Sequence, residues 1–513
     1  MNRKLKRHLL PLSIAALATS AAVAALHYLA PPPEDVSVAI DEVPYYKLPW
    51  NDDPFFPGNM KTADGKFIKP EKLPSAASCV KCHVEQFEEW AASLHSVSGR
   101  DAVYDKTIEY NEHFDGKTGE ERIRFCEACH EPGEMAIGAV NKVKSVLPTD
   151  ATTEGLTCVV CHAVTEAHPE TGNGAFTIDL SGGRDHMHNA LIMASPRDHA
   201  RAFGARATKA LITKSDFCGA CHTEQYHPGN SKVQGVASVQ TTYKEWKESW
   251  YAEQGVTCQD CHMNYDPVAF IDQLKQDKVE RPGKYSHAFA GANYLLTETD
   301  LGSNIFFLRG GVLPGLTGER YVQILEKQKR LTHDFLRTAA EVEVRQAELK
   351  PGAEGRVQVA VKNVGAGHNL PTGVGDQKHM WLELVVEDAA GREVYHSGAF
   401  DEEKGRIAPG SVVWAERFID RQGKRIMDHL TFNTARVDFI RPFIPAREED
   451  VIDYAVALPK DAQGPFKVKA RLWYRVAFQE FVVQILKTTL VIPPFLLAET
   501  ELPVHTDREV ASR

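Results

Sequence analysis

The sequence predicts an α+β, multidomain fold: a mainly helical and irregular first part, then an all-β sandwich of immunoglobulin-like type. Three observations predict it. All ten cysteines fall between Cys79 and Cys261, and residues 262–513 hold none. Beyond about residue 340 the apolar pattern turns to period two, punctuated by turn signals. The first 33 residues form a basic head, an uncharged stretch and a triple proline. At 513 residues the chain has room for two or three domains. The expected division is 1–33 as signal peptide or N-terminal membrane anchor, 34–74 as linker and 75–320 as the cysteine-bearing domain. A connecting helix over 321–340, the sandwich over 341–500 and a tail over 501–513 follow.

Arg3, Lys4, Lys6 and Arg7 precede the 22 residues Leu9–Ala30, which carry no formal charge. This order directs export. Ala22-Val23-Ala24 offers a cleavage site, yet 22 residues also suffice to cross a bilayer core of about 30 Å. Either way the rest of the chain is expected outside the cytoplasm, in the periplasm, with residues 9–30 as a possible inner-membrane anchor. The net charge is −10, from 59 Lys+Arg against 69 Asp+Glu. No nucleic-acid partner is expected, because such binding wants a concentrated basic face.

The cysteines read Cys79-Val-Lys-Cys82-His83, Cys126-Glu-Ala-Cys129-His130, Cys158-Val-Val-Cys161-His162, Cys218-Gly-Ala-Cys221-His222 and Cys258-Gln-Asp-Cys261-His262. Exported cysteines usually form disulfides. Here every one belongs to a C-x-x-C-H unit, the c-type haem attachment signature. The two thiols bond the vinyl groups of the porphyrin, and the adjacent His reaches the iron. A zinc ribbon or redox pair needs no His at that position. The expected cofactors are therefore five covalent c-type haems.

The motifs carry a second pattern. Phe125-Cys-Glu-Ala-Cys-His130 matches Phe217-Cys-Gly-Ala-Cys-His222, and Gly155-Leu-Thr-Cys158 matches Gly255-Val-Thr-Cys258. This reads as a duplicated two-haem unit, with the Cys79 motif outside it. Residues 79–262 leave about 37 residues per haem. That is too few for a conventional core at each site, so the macrocycles themselves are expected to fill it. Haems this crowded lie within tunnelling distance of one another.

The second axial ligand decides what each iron does. A second His suits electron transfer, and an open position admits substrate. His95 follows the amphipathic run Phe87–Leu94, and its twelve residues past His83 would span about 18 Å if helical. It is therefore expected to serve a neighbouring haem. His287, in a small-residue loop after the last motif, is a second candidate. His186, His188 and His199 cluster after the third motif, with His188 preferred and His199 or His227 as further candidates. His113 and His168 read as solvated loop residues, and His333 as a helix-surface residue.

After the charged helix, Glu341–Val344, Gly355–Asn363, Met380–Asp388, Glu393–His396, Asp453–Leu458 and Phe466–Tyr474 read as strands. One loop between them stands out: Asn363-Val-Gly-Ala-Gly-His368-Asn-Leu-Pro-Thr-Gly373. It is either a Gly-rich turn or a device that carries His368 onto a haem of the first part, joining the two through a metal bond.

Trp90-x-x-Ser93-x-His95 and the run from Tyr243 to Met263 resemble the multihaem cytochromes of the cytochrome c-554 family. The Gly-His-Asn-Leu-Pro-Thr-Gly loop is similar to one in larger multihaem cytochromes with a β-rich C-terminal domain. The resemblance covers about residues 75–295 and extends loosely over the sandwich. It implies periplasmic electron transfer, with relatives that catalyse reactions of nitrogen and sulfur compounds. This chain has five motifs rather than eight and no C-x-x-C-K unit. The leading expectation is a carrier whose haems are mostly doubly His-ligated, serving redox partner proteins such as a membrane quinol-oxidising complex or another cytochrome. The alternative is a reductase or oxidase of a small nitrogen or sulfur compound at one five-coordinate haem.

Overall fold

A computed structural model describes residues 53–114, 117–138, 154–180, 191, 194–202, 210–226, 237–313, 315–420, 422–427, 429 and 436–505. All of them belong to one compact unit, Tyr45–Arg513. The expected signal or anchor segment lies outside the described residues. Among those described, no helix is long and apolar enough to cross a membrane.

The first part is built from short helices and loops. Two of its helices begin at haem motifs, and the reason is local. Thr157 caps the helix Cys158–His162 by accepting from Val160 N. Thr257 caps Cys258–His262 in a capping box with Asp260. Gly155 and Gly255, two residues earlier, both have positive φ, +58° and +69°. The repeated Gly-x-Thr is thus a turn followed by a cap, placing the two cysteines and the His on one helical turn. Residues from 53 onward pack rather than link: Phe55 and Met60 are buried, and Lys61–Thr62 pairs in parallel with Phe176–Ile178. Apolar side chains in that stretch draw it onto the domain, which corrects the expected linker over its described part, 53–74.

The connecting helix runs Gly318–Arg337, capped by Thr317. Eleven strands follow among the described residues; two short ones, Phe400–Asp401 and Arg406–Ile407, pair only with each other, and the other nine build two sheets. These nine are β1 Ala340–Glu348, β2 Glu354–Asn363, β3 His379–Glu387, β4 Glu393–Ser397, β5 Val412–Ile419, β6 Arg436–Arg441, β7 Glu449–Ala457, β8 Phe466–Arg475 and β9 Phe495–Val504. One antiparallel sheet has the order β6-β5-β3-β8-β9, with β4 also on β3; the other is β7-β2-β1. Alternate residues point inward: Val357, Val359 and Val361 from one sheet meet Leu382, Leu384, Val468 and Leu472 from the other in one buried cluster. Three strands escaped the pattern. β5 and β6 are broken by charged residues, and β9 alternates only weakly. It reaches Val504, into the segment expected to be a tail.

The same cluster includes Val97, Tyr294, Leu295, Leu296 and Leu308 of the first part. The two parts therefore share one core. Buried Arg309 stitches the first part internally, donating to Tyr321 Oη, Leu296 O and the carbonyls of Ala91, Ala92 and Ser93.

Candidate functional site

The ten cysteines form no disulfide. Instead, thiols of different motifs lie close enough to act on one another: Cys79 with Cys158, Cys129 with Cys221, and Cys218 with Cys258. Cys161 lies within electrostatic reach of Cys221 and Cys218. The motifs therefore follow the spatial order one, three, four, five, with the second beside the fourth. Among the described residues no three His, Cys, Asp or Glu side chains converge as a metal site.

The motif histidines meet histidines from elsewhere. His83 faces His199 at 6.3 Å between ring centroids, with planes 21° apart. His162 faces His287 at 6.3 Å and 18°. His262 faces His368 at 6.2 Å and 15°. His222 and His95 stand 6.5 Å apart with planes at 62°. Rings in face-to-face contact sit closer, as Tyr104 does over His130 at 4.3 Å and 6°. A metal–nitrogen bond of roughly 2.0 Å on each side, plus the ring radii, puts two trans imidazole centroids roughly 6.3 Å apart. The four pairs fit an iron between them.

Hydrogen bonds fix the tautomers. His130 Nδ1 lies 3.0 Å from Ser98 O, His262 Nδ1 2.6 Å from Ala290 O and His368 Nδ1 2.9 Å from Asn369 O. A carbonyl only accepts, so each Nδ1 carries the proton and Nε2 is left for a metal. Burial lowers these imidazoles, holding them in the neutral, ligating form. His95 falls to about 3, and His130, His222, His262 and His287 to about 4.

Each distal His has a structural reason for its place. The helix Val84–Ala92 ends at Ser93, whose Oγ donates to Trp90 O, and His95 opens the next turn. Trp90 Nε1 donates to Leu156 O, and Leu156 N donates to His95 O, which braces this element against the third motif. His287 is held by its own N–H on Glu89 Oε2. The Asn363–Gly373 loop is bolted to the segment before the fifth motif. Glu245 accepts from Asn369 N and Thr372 Oγ1, and Asn363 Nδ2 donates to the His368 carbonyl.

Of the histidines after the third motif, His199 is the one brought opposite His83; His186, His188 and His227 lie outside the described residues. His333 is half-buried, bonded to Glu298 and set against Phe495. His113 stands in the helix Ala102–Phe114 rather than a loop. Sequence reasoning missed Tyr104, which covers His130 from a helix with no motif.

Residues 78–163 match the family described as Cytochrome c554 and c-prime. No curated protein matches the chain. A penta-heme cytochrome c552 from Thermochromatium tepidum is similar in fold, with a TM-score of 0.53 at 18% identity, over 85% of this chain and 100% of that one. Red sea bream transglutaminase aligns at 14% identity over 39% of this chain and 20% of that one, and its TM-score of 0.13 carries no argument. By motif, by matched region and by fold, the chain resembles the multihaem c-type cytochromes of the cytochrome c554 family.

Proposed function

We propose that this chain is an exported, periplasmic electron carrier that binds five covalent c-type haems, four of them between paired histidines. The observation that carries the reading is the spacing of the pairs His83–His199, His162–His287, His222–His95 and His262–His368, all 6.2–6.5 Å. Two imidazoles saturate the iron, so such a haem passes electrons without binding substrate. The neighbouring thiols of successive motifs support a continuous path, with the second motif as a side station on the fourth. The two facing sheets read as an immunoglobulin-like sandwich whose loop supplies His368. Redox partner proteins, such as a quinol-oxidising complex or another cytochrome, would load and unload the path.

A second reading, a reductase or oxidase of a small nitrogen or sulfur compound, has one observation in its favour. Among the described residues no imidazole stands at that spacing from His130. Intact-mass measurement with a potentiometric titration tests the proposal. Five haems per chain and five electrons taken up per chain are expected. Fewer haems, or haems that do not exchange electrons, would overturn it.

A further inference from the structure

Three of the four imidazole pairs are near parallel, and one is not. The rings of His222 and His95 cross at 62°, against 15–21° in the other pairs. A side chain holds the His222 ring: its Nδ1 lies 3.1 Å from the amide of Gln240, which after a half-turn offers its oxygen to an N–H. His95 has no such tether. Among the described residues no hydrogen bond reaches its ring, so packing decides which way the plane turns. The aromatic ring packed there is Phe289, 4.4 Å from His95 between centroids with planes at 72°. That is the near end of the edge-to-face range.

An aromatic edge alone does not cross a pair. Phe335 stands edge-on to His262 at 5.2 Å and 68°, yet His262 and His368 are only 15° apart. There both imidazoles are fixed by carbonyls, Ala290 O and Asn369 O. His95 has the closer aromatic neighbour and no carbonyl.

The backbone holds Phe289 in place. Its φ is +46°, a conformation that a bulky residue rarely adopts. Strain of this kind persists where the surroundings over-determine it. Hydrogen bonds hold both flanks here. On one side His287 N donates to Glu89 Oε2, and Ala288 O accepts from Gln328 Nε2. On the other, Ala290 N donates to His262 O. The same phenyl ring stands edge-on to His287 at 6.1 Å and 86°. Phe289 therefore lies between the distal imidazoles of two pairs, on a segment that also braces a third.

We propose that Phe289 is a positioning residue: its ring wedges the His95 imidazole across that of His222 and gives the carrier one haem with crossed axial ligands. The inference rests on the paired-histidine reading and adds what sets one pair apart. The angle between the planes governs how the imidazole π orbitals meet those of the iron, so this haem is electronically distinct from its neighbours on the path.

The test is low-temperature electron paramagnetic resonance of the oxidised full-length protein and three variants. The parent should show one large-g low-spin haem, from the crossed pair, beside three rhombic ones. Phe289→Ala and Phe289→Gly should both lose the large-g signal and gain a fourth rhombic one, with the low-spin total unchanged. Phe289→Tyr, which keeps the ring, should retain the large-g signal. Glycine relieves the backbone strain that alanine keeps, so agreement between those two variants assigns the change to the ring. The three original rhombic signals, unshifted, would establish that each variant folds. Several results would overturn the proposal: a parent without the large-g signal, a large-g signal that survives Phe289→Ala, one lost in Phe289→Ala but kept in Phe289→Gly, or one lost in Phe289→Tyr. A haem turned high-spin by Phe289→Ala would also overturn it, by making the ring necessary for ligation rather than for the plane. The paired-histidine reading survives each of these as long as the parent has four low-spin haems, and fails on a lower count.

Discussion

At the scale of single residues, two positions show how backbone and burial build the sites. Gly155 combines positive φ with a close approach, for a Cβ there would collide with Ser98 Oγ and the His95 carbonyl. Gly155→Ala should therefore cost about 2–4 kcal/mol in thermal unfolding. Gly391→Ala, where φ is also positive but nothing lies within 4 Å, should cost about 1 kcal/mol. Equal losses would remove the steric account of Gly-x-Thr. Asp101 caps the helix Ala102–Phe114 by accepting from Tyr104 N, and burial pushes its carboxyl up to about 7. The fold holds the proton that the unfolded chain releases near 3.8. This group's contribution to stability is thus present below that value and lost as pH rises to about 7. Asp101→Asn should flatten that part of the pH–stability curve, and an unchanged slope in chemical denaturation would contradict the assignment. The motif residues at this scale were legible because thioether chemistry demands one spacing. Tyr104 was not, since it reaches His130 through a tertiary approach that leaves no local periodicity.

Among the elements, the loop Asn363–Gly373 matters most. Its glycines let the backbone pass close to neighbours: a Cβ at Gly365 would meet the Thr338 carbonyl, and one at Gly367 would touch Tyr251. Glu245 then fastens the loop from the other side. Glu245→Ala removes the carboxylate whose Oε2 accepts from Asn369 N and Thr372 Oγ1 and whose Oε1 accepts from Thr241 Oγ1. It should cost about 1–3 kcal/mol and turn part of one low-spin haem high-spin. His368→Ala should convert that haem completely. Optical spectra that match the parent in both variants would show that the loop holds no iron. The loop was legible as unusual from its composition, and His368 could be singled out as its one imidazole. The choice among His186, His188 and His199 was not legible, because only the folded path of the chain decides which reaches His83.

Across the whole molecule, the large apolar cluster belongs to the sandwich and its seam with the first part, while the motif-bearing part contributes to smaller ones, such as Tyr251, Val256, Phe270 and Leu274. The period-two strands made the sandwich legible. The expectation that cofactors fill residues 79–262 rests on motifs too dense for an apolar core. The shared core was not legible, since Tyr294 and Leu308 carry no mark of the partner sheet. A chain produced without haem attachment should therefore exchange backbone hydrogens rapidly over 79–262 and retain protection in β1–β9. Uniform loss or uniform retention would contradict this division. The account's central claim is that four irons lie between the observed imidazole pairs, and their ring planes make it directly testable. Near-parallel imidazoles split the iron's two π-type d orbitals and give rhombic low-spin signals, whereas strongly crossed planes leave them nearly degenerate and give a large-g, nearly axial one. Electron paramagnetic resonance of the oxidised protein, integrated against total iron, should show three rhombic low-spin haems from the pairs at 15–21° and one large-g low-spin haem from His222–His95 at 62°. Fewer than four low-spin haems would contradict it.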